Sequence, residues 1–402
     1  MFSDESAWLG AGEEQQSGSH ALLRELNERL ILDRLRATGT QSRAQLAKAS
    51  GLTKPTVAAA LANLTTAGLV LSAGNSEGHA GPAAFRYRAN QRAGFTAAID
   101  IGRSWVRIAV TDLGGLELAY AEVPNRARSA GGLVADIARL AASTATAAGI
   151  AWSDVVTTVV GSPGVFDEET DRFRFVPNLS GWERRGLLGE LRHALGSGLV
   201  IENDINLAAV GEQTFGAGRG VPNFVLVSVG TGVGMGIVIG GALYVGGSGA
   251  AGEVSYLPNG DSEAPRSDAR QRGMTEAAAS AAGLMQAARD AGLVFGSPEE
   301  IFAAAVAGDE QAQAVVEAEG RRIGALITAV AAILDPELVV LSGGVGRNLD
   351  VLGDAIARRI SELGPLRPRI VASDLGDGGV LLGAVARALD VARDLLFERS
   401  RS

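Results

Sequence analysis

Three observations in this 402-residue sequence predict a mixed α/β chain in which a small helical module precedes a two-lobed body. The first is charge: residues 21–92 hold ten Lys/Arg against four Asp/Glu, although the whole chain has a formal net charge of −9. The second is a change of periodicity near residue 93, from helical spacing to strands alternating with helices. The third is length, because single hydrophobic cores stop growing at roughly 250–300 residues.

Residues 1–20, MFSDESAWLGAGEEQQSGSH, are acidic and polar where a secretory signal would be basic and then apolar. They are expected to form a disordered tail, and nothing marks export. Leu23, Leu26, Leu30, Ile31 and Leu35 then recur at helical spacing, ending at Thr38-Gly39-Thr40. SRAQLAKASGLTKPTVAAALANLTTAGLV follows as two short helices with a turn at Gly51. Ser42 caps the first, with Gln45 three residues on completing a capping box. Thr53 caps the second, and Pro55 sits in its opening turn, where a missing N–H costs nothing. Leu46, Ala47, Leu52, Val57, Leu61 and Leu64 are expected to pack the pair, leaving Lys54, Thr56, Ala60 and Asn63 outward.

That spacing is the helix-turn-helix pattern, whose second helix enters the DNA major groove. A wing follows: Leu69-Val70-Leu71 as a strand, a Gly/Ser/Asn turn, and AAFRYRAN, where period-two alternation puts Arg86 and Arg88 on one face toward phosphate. Residues 21–92 thus read as a winged helix-turn-helix domain. Its expected DNA contacts are Arg43, Lys54, Thr56, Ala60, Asn63, Arg86 and Arg88, with the wing carrying much of the affinity because the recognition helix is rich in Ala. A basic module on an acidic body suits an anionic partner such as DNA.

Beyond residue 93, FTAAIDIG, WVRIAVTDL and ELAYAEV read as consecutive strands, GLVADIARLAASTATAAG as a helix, and DVVTTVVGSPGVFD and LVIEND as further strands. FVLVSVGTGVGMGIVIGGALYVGG opens a second series that closes with PELVVLSGGVG and RIVASDLG. Two lobes of this kind imply a cleft between them, with Gly-rich turns able to cradle anions. Composition narrows the chemistry. The chain has no Cys and only His20, His79 and His193, which excludes disulfides and disfavours zinc. No apolar run spans a bilayer, so no membrane partner is expected and the cytoplasm is the expected location.

The order of Asp100-Ile101-Gly102, GSPGVFD (161–167), VPNLSGW (176–182), ENDINLAAVGE, VGTGVGMG (229–236), AAGEVS and LSGGVG (341–346) resembles the ROK family of repressors, open reading frames and kinases. The resemblance covers residues 21–395 and implies a two-lobed actin-like (ribonuclease H-like) ATPase/sugar-kinase fold, with lobes at 93–215 and 216–396. In the family's kinases the Asp of the Asn-Asp pair is the general base for a sugar hydroxyl. Carried over position by position, the resemblance implies ligand contacts at Gly164, Asn178, Asn203, Asp204, Glu253, Tyr256 and Glu276. Tyr256 stands where the family has His, and Ser255 where it has Gly. The family's zinc cysteines align with Ser267, Ala269 and Met274, so no metal site and no cofactor are expected. Remnants of the nucleotide loops are Asp100, Gly102, Thr231, Gly232, Gly234, Gly343 and Gly344, with Arg103 where close backbone approach to phosphate needs Gly.

Asp204 alone distinguishes poorly between catalysis, binding and helix capping, since a carboxylate can accept a hydrogen bond or remove a proton. The resulting expectation is a non-catalytic, sugar- or sugar-phosphate-responsive repressor, a homodimer or homotetramer on an operator of palindromic half-sites. The alternatives are an ATP-dependent ROK sugar kinase with an appended DNA module, and a ligand-independent DNA-binding protein whose body only oligomerises.

Overall fold

The computed structural model describes residues 10–75, 85–176, 179–196, 198–258 and 272–401. They fall into two compact units. The smaller comprises Met1–Thr96, Thr111–Leu116 and Leu389–Ser402; the larger comprises Ala97–Val110 and Glu117–Ala388.

In the smaller unit, α1 (Gly10–Thr38) is one continuous helix, so residues 10–20, expected to be disordered, belong to it. GAGEEQQSGSH contains no proline to break a helix. β1 (Gln41–Ser42) leads to α2 (Arg43–Ser50), where Ser42 and Gln45 form the expected capping box. α3 (Lys54–Thr66) is capped by Thr53, whose side chain accepts the Thr56 N–H. β2 (Val70–Asn75) and β3 (Phe85–Ala89) complete the wing in a sheet of order β1-β3-β2. Ile31, Leu32, Leu35, Leu46, Val57, Leu61 and Leu64 make its core, joined by Phe397 from near the C-terminus.

The larger unit carries two five-stranded sheets. The first, ordered β10-β7-β4-β5-β6, uses β4 (Phe95–Ile101), β5 (Trp105–Asp112), β6 (Glu117–Pro124), β7 (Val155–Ser162) and β10 (Leu199–Asn203). α4 (Ala130–Ala147) lies between β6 and β7 in sequence, the hairpin β8 (Val165–Asp167) and β9 (Arg172–Arg174) follows, then α5 (Leu187–Leu195) and α6 (Asp204–Phe215). Ile99, Ile108, Ile137, Val160 and fully buried Trp182 fill this lobe's core. Trp182 satisfies its indole N–H on Ser162 Oγ at 2.8 Å, as a buried Trp requires.

The second sheet has the order β13-β12-β11-β14-β15, from β11 (Phe224–Val229), β12 (Val233–Ile239), β13 (Ala242–Leu243), β14 (Leu338–Ser342) and β15 (Arg369–Ala372). β11 pairs antiparallel with β12 and parallel with β14. The helices are α7 (Met274–Ala279), α8 (Ala281–Asp290), α9 (Pro298–Val306), α10 (Glu310–Leu334), α11 (Gly343–Gly346), α12 (Leu349–Leu363) and α13 (Gly379–Arg399). Val225, Val227, Ile323, Ile327 and Ile356 lie in the core of this lobe.

Candidate sugar cleft and DNA-binding face

A cavity of about 360 Å³ in the larger unit gathers side chains from both sheets. Gly164, Asn203, Asp204, Glu253, Tyr256 and Glu276 line it, as do Gly102, Thr231, Gly232, Gly234, Gly343 and Gly344. Asn178, Ser267 and Ala269 lie outside the described residues. Asp100 does not line the cavity. It is buried behind it, with Oδ2 accepting from Arg107 Nη1 at 3.2 Å. Burial raises the Asp100 carboxyl to about 6, against the pull of the Arg107 charge.

The end of β10 builds the Asn-Asp pair. Asn203 is the helix cap: its Oδ1 accepts the N–H groups of Ile205 at 2.9 Å and Asn206 at 3.1 Å, and its Nδ2 donates to Gly164 O at 3.3 Å. Asp204 is thereby released from the capping position and becomes the first helical residue, its Oδ1 accepting the adjacent Ile205 N–H at 2.9 Å. The positive end of α6 favours its ionised form. Crowding by protein atoms outweighs that, and with Asp100 nearby the carboxyl rises to about 6. The side chain still opens to the cleft, so this is partial desolvation rather than full sequestration.

Two further acids converge here. Glu253 follows Gly252, whose φ of +94° and position against Met235 O leave no room for a Cβ. Burial first, then the charges of Asp204 and Glu276, push the Glu253 carboxyl up to about 7. Glu276 is buried, its Oε2 accepting Val233 N–H at 3.2 Å and its Oε1 accepting Arg272 Nε at 3.1 Å. Tyr256 meets Phe175 edge-to-face, ring centroids 5.6 Å apart. The sequence reading missed Phe175, Arg272 and the placement of Arg103 in the cavity wall. Phe175 holds φ at +62°, a strained conformation for a bulky residue, and such strain clusters at ligand sites. At the positions of the family's zinc ligands, Tyr256 offers a phenol and Met274 a thioether, a donor set that does not fit tetrahedral zinc.

On the DNA-binding side, Lys54 and Arg88 are exposed and Thr56 is half-exposed, its hydroxyl 2.8 Å from Thr53 Oγ1. Ala60 corrects the sequence expectation: it is 3% exposed and belongs to the module's core. Alanine is neutral to a hydrophobic pattern, but Val57, Ala60, Leu61 and Leu64 follow i, i+3, i+4, i+7 spacing, so Ala60 completes the buried stripe and Ala59 faces out. Other predicted contacts are partly committed within the module. Asn63 Nδ2 donates to Glu28 Oε1 at 2.6 Å, Arg86 Nη2 to Thr40 O at 2.8 Å, and Arg43 Nε to Tyr87 OH at 3.0 Å.

A winged helix-turn-helix module followed by a sugar-kinase-type body defines the class. The ROK family model matches residues 96–391 and a winged helix-turn-helix DNA-binding model matches residues 24–70. The chain belongs to the ROK family. It is 35% identical over 232 residues to a glucokinase of Thermotoga maritima, covering 53% of this chain and 68% of that enzyme. It is also 25% identical over 387 residues to the xylose repressor of Bacillus subtilis, covering 93% of this chain and 97% of the repressor. In fold it is similar to a solved ROK family transcriptional regulator, a homologue of the E. coli MLC protein, with TM-score 0.76 at 23% identity over 94% of this chain and 98% of that one. Among the described residues no helix is long and apolar enough to cross a membrane.

Proposed function

We propose that this chain is a cytoplasmic transcriptional repressor of sugar-metabolism genes whose DNA affinity is set by a sugar or sugar phosphate bound in the cleft. The observation that carries the reading is the convergence of Asn203, Asp204, Glu253 and Glu276 on one cavity in a chain that also has a capped, wing-bearing recognition helix. Carboxylate and amide groups in a partly desolvated cavity discriminate among hydroxyl patterns, because a mismatched ligand leaves polar groups unpaired. Lys54 and Arg88 supply cationic contacts, with Thr56 at the helix start, and a dimer or tetramer would read two half-sites spaced by helical turns.

The test is a DNA-binding assay on the native promoter region across mono- and disaccharides and their phosphates. One of them should change operator affinity at least tenfold in wild type and not in Asp204→Asn. A promoter affinity untouched by every sugar sinks the regulated reading. A second reading, an ATP-dependent sugar kinase with no zinc, draws on Thr231, Gly232, Gly234, Gly343 and Gly344 lining the same cavity as Asp204. Coupled ATP turnover on a hexose panel, abolished in Asp204→Asn, would select it.

A further inference from the structure

The smaller unit contains a second recess, of whose lining the proposed function uses only Arg88. It has a volume of about 190 Å³ and is bounded by Arg36 near the end of α1, Arg88 on β3 and Arg393 on α13, with Thr40, Asn90 and Gln91 adding polar atoms. Among the described residues no Asp or Glu lines it. The nearby acids are engaged: Asp33 accepts Arg36 Nη1 at 3.0 Å, Asp394 pairs with Arg29 at 2.7 Å, and Asp112 accepts the N–H groups of Gly114 and Leu116.

Geometry holds these guanidiniums in place. Arg393 directs Nε and Nη2 at Leu113 O, at 3.3 and 2.8 Å, which fixes its plane; among the described residues its Nη1 makes no hydrogen bond. The Arg36 side chain is only 19% exposed. Burial first, and then the neighbouring Arg393 charge, lower the Arg36 pKa against the opposing charges of Asp33 and Asp394, so the fold keeps two like charges close together. An anion in the recess would offset that repulsion and receive the planar, multi-donor contacts that suit phosphoryl oxygens.

We propose that this recess binds a small free anion bearing a phosphoryl group, at a site distinct from the sugar cleft. Duplex DNA could present the same chemistry through a backbone phosphate, but Arg36 and Arg393 are recessed. The bound anion would bridge α1, β3 and α13, three segments distant in sequence, and so stabilise the smaller unit.

The experiment uses the full-length chain at fixed ionic strength and follows thermal unfolding with inorganic phosphate, pyrophosphate, chloride, or a short duplex of unrelated sequence. Pyrophosphate should raise the wild-type Tm by about 2–4 °C over chloride. Arg36→Gln, free of the like-charge repulsion, should be at least as stable without anion and should bind pyrophosphate at least tenfold more weakly; Arg393→Lys should also weaken it. If Arg393→Lys does not fold, Arg36→Gln carries the test. No wild-type shift, or one that survives in Arg36→Gln, overturns the site. An Arg36-dependent shift with duplex but not with pyrophosphate overturns the free-anion assignment.

Discussion

Replacing Glu253 by Gln should stabilise the folded chain at pH 8 while weakening ligand binding in the cleft. Partial burial and the charges of Asp204 and Glu276 place the Glu253 carboxyl at about 7, against an ordinary value of 4.5. At about 1.4 kcal/mol per unit, that interval is worth at most about 3.4 kcal/mol. The cleft is open and Glu253 is coupled to Asp204, so roughly half, about 1.5–2 kcal/mol, is the expected effect. The folded state binds this proton more tightly than the unfolded chain does. Stability is therefore unimpaired below about pH 4.5, declines as pH rises through the folded value, and is fully reduced above about pH 7. A neutral amide carries no such penalty. Urea unfolding of both proteins should converge near pH 4.5 and separate at pH 8, with the variant more stable. An offset equal at both pH values, or a wild type more stable at pH 8, would refute the reasoning, because neither burial nor the neighbouring charges would then be raising the Glu253 carboxyl.

Asn203→Ala should lower stability by about 1–2 kcal/mol in urea unfolding, since it removes the α6 cap as well as the bond to Gly164. Gly252→Ala should cost more than about 2 kcal/mol and abolish ligand-induced thermal shifts, because a Cβ would stand 1.9 Å from Met235 O at a φ of +94°. Lys54→Ala and Arg88→Ala should each weaken DNA binding and reduce the slope of log affinity against log salt by about 1, measured by fluorescence anisotropy. Ala60→Gln should instead destabilise the module by about 1–3 kcal/mol in denaturant titration, as expected of overpacking at a buried position.

Features set by neighbours in sequence were legible without coordinates. Ser42 and Gln45 close a capping box within four residues, Thr53 and Pro55 open α3 by local rules, and the strand series follows directly from apolar runs and glycine turns. What escaped depends on distant partners. Asn63 meets Glu28 from α1, Arg86 meets Thr40, and Phe175 reaches Tyr256 across the cleft, and none of these pairings leaves a spacing signal. The reach of the smaller unit escaped for the same reason, since Thr111–Leu116 and Leu389–Ser402 join it from two widely separated places in the chain. Asn203 and Asp204 fall between these cases. Sequence brought the pair to attention, but only the hydrogen bonds assign the cap to Asn203 and leave Asp204 facing the cavity.

That division of labour bears on regulation, because a ligand alters DNA affinity only through unequal affinity for two arrangements of the protein. Of the groups that would grip it, Asp204 stands at the start of α6, and α6 meets the first turns of α13 backbone to backbone. A Cβ at Gly383 would lie 1.8 Å from Leu207 O, and one at Gly211 would lie 2.4 Å from Gly379 O. Such a contact has no soft side chains to absorb a shift, so a displaced α6 must slide along the glycine seam or carry α13 with it. A ligand that bears on Asp204 therefore loads this glycine seam inside the larger unit.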